Sequence, residues 1–86
     1  NDKKAENAPG VAADLAVLAE LSARRGKPED SYWYWRRAFD SALAANRVAL
    51  VRMSLAALRD GAPAAGRENE VAAWTGLLAS LDAAKP

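Results

Sequence analysis

Bulky apolar residues recur at helical spacing in four stretches of the chain, and glycine, proline or asparagine punctuates the gaps between them. In VAADLAVLAELSARR, Val11, Leu15, Leu18 and Ser22 form one stripe that Val17 and Leu21 widen. Arg24 and Arg25 suit the negative end of that helix, and Gly26 stops it. The second stretch, SYWYWRRAFDSALAA, follows Pro28, Glu29 and Asp30; Asp30 or Ser31 is positioned to cap it, and Asn46 closes it. The third, RVALVRMSLAALRD, has two apolar sides, one of Val48, Val51, Leu55 and Leu58 and one of Leu50, Met53 and Ala57. It is the candidate central helix, ended by Gly61. In ENEVAAWTGLLASLDAA, Val71, Trp74, Leu78 and Leu81 repeat with Leu77 beside them, Glu68 and Glu70 suit the first turn, and Gly76 offers a place for a neighbouring helix to come close. No stretch alternates with a period of two, so the pattern predicts an all-α fold.

Four helices joined by short turns predict two antiparallel hairpins, arranged either as a helical-repeat-like pair or as a small four-helix bundle. The domain is expected over residues 11–84. Residues 1–10, NDKKAENAPG, are polar and end in Pro9 and Gly10, which reads as a flexible linker leading into it.

The second stretch concentrates the aromatic residues. Taking about 100° per residue, Tyr32, Trp35, Phe39, Ala42 and Leu43 fall on one face, an ordinary core stripe. Trp33 then points about 100° away from Tyr32 and Tyr34 about 200° away, so the four consecutive aromatics cannot all enter one core. Trp33 shares its side with Arg37 and Asp40, which predicts an indole partly covered by a stacked guanidinium. Tyr34 shares its side with Arg37, Ala38, Ser41 and Ala45, a shallow face able to receive another helix.

Composition narrows what such a chain can do. Its 86 residues are enough for one small domain with a limited core, and much of the 51% hydrophobic content is alanine. A net charge of +1 provides no strong field toward nucleic acid, anionic lipid or acidic substrates. Cysteine and histidine are both missing, which removes disulfides, thiol nucleophiles, most zinc sites and the usual acid–base relays. Asp14 with Glu20, and Glu29 with Asp30, are the carboxylate pairs available for acid–base or metal chemistry. The first pair does not share a helix face closely, and the second sits where a helix start favours negative charge. No phosphate loop, nucleophile elbow or metal-spacing motif occurs, so no enzyme activity, cofactor or metal is expected. Arg24, Arg25, Lys27, Arg36 and Arg37 are interleaved with Glu29, Asp30 and Asp40, which fits solvated helix ends better than a nucleic-acid footprint. No apolar run is long enough for a transmembrane segment.

The chain also compares with itself. A shift of 35 positions aligns Leu15 with Leu50, Leu18 with Met53, Ser22 with Ala57 and Gly26 with Gly61; a shift of 38 aligns Phe39 with Leu77 and Leu43 with Leu81. In this, and in AFDSALAAN with Phe39, Ala42, Leu43 and Asn46, in WRRA from Trp35 to Ala38, and in LRDG ending at Gly61, it resembles the tetratricopeptide repeat and its Sel-like relative. The resemblance spans roughly residues 12 to 84 and implies an α-helical scaffold that binds other proteins.

The expected function is therefore a non-enzymatic protein–protein interaction or adaptor domain. Its expected site is Trp33, Tyr34, Arg36 and Arg37, the aromatics anchoring a partner protein or a second copy and the arginines orienting it. Two other roles fit the same sequence. One is a bacterial periplasmic lipoprotein or pilotin-like secretion-system assembly factor, exported and tethered by a lipid anchor upstream of NDKKAENAPG, although a cytoplasmic location also fits. The other is a structural domain of a longer chain.

Overall fold

The computed structural model describes residues 10–83, and the linker expected over residues 1–10 lies outside it except for Gly10, which is the first residue of a helix. Four α-helices follow in order: α1 Gly10–Arg24, α2 Pro28–Ala44, α3 Val48–Gly61 and α4 Val71–Ala83, with a 3-10 turn at Glu68–Glu70 before α4. No strand occurs among the described residues. The fold is all-α, with each helix packed on the next in sequence as antiparallel hairpins. The Cα atoms extend 39 × 38 × 16 Å. The thinnest direction is about the depth of two helices packed roughly 10 Å apart.

Three turns share one chemistry. At the end of α1 the amide of Lys27 donates to Ser22 O at 2.9 Å and that of Gly26 to Ala23 O at 3.1 Å. After α2, Arg47 donates to Ala42 O at 2.8 Å and Asn46 to Leu43 O at 3.1 Å; before the 3-10 turn, Arg67 donates to Ala62 O at 2.7 Å and Gly66 to Pro63 O at 3.1 Å. Each is a Schellman closure, which requires a left-handed residue at its hinge. Gly26, Asn46 and Gly66 supply it, with φ of 74°, 58° and 78°. The residues that follow, Lys27, Arg47 and Arg67, each cap the start of the next helical element, standing just before it.

Gly61 is the last residue of α3, as the sequence predicts, but the sharp reversal comes later: Ala62 keeps right-handed helical geometry and donates to Leu58 O, and the left-handed hinge is Gly66. The left-handed hinges Gly26 and Gly66 stand forty residues apart, which sets a further register for comparing the chain with itself. In that register Val11 matches Val51, Leu15 matches Leu55, Ala16 matches Ala56 and Leu18 matches Leu58. One helix start departs from the sequence expectation: Asp30 and Ser31 do not cap α2, since Lys27 precedes the helix and Pro28 occupies its first turn, where a missing N–H costs nothing.

The core is built from Leu15, Tyr32, Trp35, Val51, Leu55, Leu58, Trp74 and Leu78 with alanines between them. On α1 the buried stripe is Ala12, Leu15, Ala16 and Ala19, whereas Val17, Leu18 and Leu21 face outward. The sequence expectation put the bulky residues inward. Small side chains win that face because they let the α1 backbone come close to the large side chains of α2. On α3, Val51, Leu55 and Leu58 are buried but Val48 and Met53 are exposed, so its second apolar side is only partly covered. A Cβ at Gly76 would meet nothing within 4 Å, so no helix uses that gap. None of the described helices is long and apolar enough to cross a membrane.

Candidate functional site

The α2 helix divides its aromatics as its period dictates. Tyr32 and Trp35 are buried and Phe39 packs half-buried against the core, whereas Trp33 is 54% exposed. The Arg37 guanidinium lies over the Trp33 ring, 5.0 Å from its centroid, close enough for cation–π attraction that also shields part of the indole. Tyr34 meets Trp33 edge to face at 5.3 Å and is otherwise half-buried against the core.

Trp33, Arg36 and Arg37 line a groove of about 620 Å³. One wall is the outer face of α2, with Glu29, Asp30, Trp33, Arg36, Arg37 and Asp40; the other is Ala65, Arg67 and Glu70 from the turn before α4. Tyr34 is not among the lining residues. Of the four expected site residues, the structure thus brings three to one groove and uses the fourth as a support beneath Trp33.

A polar network sets the position of the two walls. Trp74 donates its indole N–H to the Tyr32 hydroxyl at 2.7 Å, and that hydroxyl donates in turn to Glu70 Oε1. Arg67 Nη1 lies 3.8 Å from Glu70 Oε2. Arg36 lies over the Trp74 ring, 5.4 Å from its centroid, and Phe39 touches the same indole edge to face at 5.9 Å. Burial of Tyr32, followed by its bond to Glu70, raises the pKa of its phenol from the ordinary value of 10.0, so the hydroxyl stays protonated and continues to donate.

Sequence reasoning missed Arg67, Glu70 and the polar role of Trp74, because the folded chain alone brings them beside α2. Glu29, Trp33, Arg36 and Asp40 do carry a readable signal, a stripe at helical spacing along one side of α2. Asp14 and Glu20, weighed for acid–base chemistry, are exposed on α1, away from this groove.

No protein-family model matches the chain, and no curated protein or solved structure matches it.

Proposed function

We propose that this protein is a non-enzymatic interaction module, built on a helical-repeat-like scaffold, that binds a segment of another protein in the groove beside α2. The forty-residue correspondence of hinge and core positions supports the repeat-like reading. The observation that carries the binding role is Trp33, held half in solvent by Arg37 at the wall of a groove whose opposite side is fixed by the Tyr32–Glu70–Trp74 network. An exposed tryptophan beside arginine is the combination that most often dominates interface energy, and here its orientation is set before a partner arrives.

The lining indicates the kind of partner. Arg36, Arg37 and Arg67 alternate with Glu29, Asp30, Asp40 and Glu70, so a polyanion would meet as much repulsion as attraction. A polypeptide carrying charges of both signs around an apolar residue matches the wall, the apolar residue resting on Trp33.

Photo-crosslinking in cells tests this reading. A crosslinker at position 33 is expected to give a discrete adduct that one at exposed Ala49 does not, and Arg37→Glu in the labelled chain should abolish it. Equal labelling from both positions, or none from position 33, refutes the groove as a binding site.

A further inference from the structure

The uncovered face of α1 poses a question separate from the groove. Asp14, Val17, Leu18 and Leu21 lie along one stripe of that helix and are all exposed. Forty residues later the equivalent positions of α3 are Ser54, Ala57, Leu58 and Gly61, and there Ser54 and Leu58 are fully buried. Leu18 is 42% exposed while Leu58 is 0% exposed. The α3 face has a neighbour in the chain: Ala57 and Gly61 share a cleft with Ser31, Tyr32 and Trp35 of α2, whereas no described residue covers Val17, Leu18 and Leu21 of α1.

At the other end, α4 is the forty-residue equivalent of α2 and has the reciprocal gap. Tyr32 and Trp35 are buried on α2, whereas their equivalents Ala72 and Thr75 are exposed. Side-chain sizes are exchanged between the two situations. Between α2 and α3, small Ala57 and Gly61 face large Tyr32 and Trp35; on the exposed faces of α1 and α4, Val17 and Leu21 are the large residues and Ala72 and Thr75 the small ones. Large-against-small pairing is conserved, as close packing of two helix faces requires.

Charge agrees with the same placement. Pro28 and Ala64 line two clefts together, so the start of α2 lies against the residues after α3. Their forty-residue equivalents are Glu68 and Arg24, which are opposite in sign and both exposed.

We infer that a second copy of this chain covers α1, its α4 lying on Val17, Leu18 and Leu21 with Glu68 beside Arg24, so that copies continue the α2–α3 packing head to tail. The contact joins two different faces, so it is heterologous and leaves one free face of each kind on every dimer.

Sedimentation of the full chain between about 10 µM and about 1 mM, the range for a contact of one helix pair, tests the inference. The expected result is a mass that rises with concentration beyond a dimer or closes at a ring. Leu18→Glu with Leu21→Glu blocks one face, and Ala72→Glu with Thr75→Glu blocks the other. Each double variant alone should remain monomeric with an unchanged helical circular dichroism spectrum, and an equal mixture should form a heterodimer that grows no further. Arg24→Glu should weaken association about tenfold or more, and adding Glu68→Arg should restore it. A wild-type chain that is monomeric throughout, association that survives both double variants, or a mixture that stays monomeric would overturn the proposal.

Discussion

Trp74 and Tyr32 are joined by a 2.7 Å hydrogen bond that links α4 to α2, the two helices on either side of α3 in sequence. Both residues are buried, so the bond closes the core and also sets the groove, because the Tyr32 hydroxyl in turn donates a hydrogen bond to Glu70 on the far wall. Removing the hydroxyl alone isolates the consequence. Tyr32→Phe keeps the ring but leaves a buried indole N–H without this acceptor and Glu70 without this donor. The expected cost is about 1–3 kcal/mol, read as a lower urea midpoint at constant slope. A midpoint within error of wild type would mean that neither group depends on the bond.

The same phenol gives stability a dependence on alkaline pH. Burial first, and Glu70 second, raise its pKa in the folded state above the ordinary 10.0. The sign is that of a group whose proton is held more tightly when folded. Its contribution is fully present below about pH 10 and is lost as pH rises from there through the folded pKa. Unfolding midpoints should therefore fall more steeply above pH 10 in wild type than in Tyr32→Phe, which has no proton to hold at this position. Parallel pH profiles for the two proteins would contradict the assignment.

The turns predict opposite outcomes for two glycines that look alike in sequence. Gly66 has φ of 78°, and alanine there would be forced into the left-handed region. Gly66→Ala should cost roughly 1–2 kcal/mol although its Cβ would touch nothing. Gly76 lies inside α4 with open space around its missing Cβ, so Gly76→Ala should stabilise by about 0.5–1 kcal/mol through lower entropy of the unfolded chain. Thermal melts of the two variants, shifted in opposite directions from wild type, check both positions at once.

Particular residues show where sequence was a sufficient guide. Helical period alone separates Tyr32 and Trp35 from Trp33, because once α2 forms their directions are fixed by geometry internal to the helix. It fails on α1, where the pattern places Leu18, Val17 and Leu21 inward with Leu15, whereas Ala12, Ala16 and Ala19 are the residues buried beside Leu15. There the choice of face depends on the size of the side chains opposite, which the helix's own pattern does not encode. Gly61 and Gly66 both follow apolar helical sequence, and only the backbone geometry identifies Gly66 as the hinge. The second wall of the groove is least legible, since Arg67 and Glu70 meet α2 only after α3 has folded between them.

The division of α2 into inner and outer aromatics is itself testable by truncation. Trp35 is 8% exposed, so Trp35→Ala opens a cavity in a core that has few other large side chains to close it. Such a change costs about 3–5 kcal/mol, comparable to the whole stability expected of a domain this small. Trp35→Ala should therefore lose a cooperative unfolding transition altogether. Trp33→Ala removes an indole that already rests half in water and a cation–π contact with an arginine that is also exposed. Its cost should be within about 1 kcal/mol, small enough to leave a cooperative melt close to that of wild type. Intrinsic fluorescence supplies an independent readout. Trp33 is more accessible than Trp35 or Trp74, so Trp33→Ala should remove most of the quenching by iodide while retaining the blue-shifted emission of the buried pair. A Trp33→Ala protein that melts as early as Trp35→Ala would show that the outer indole is structural.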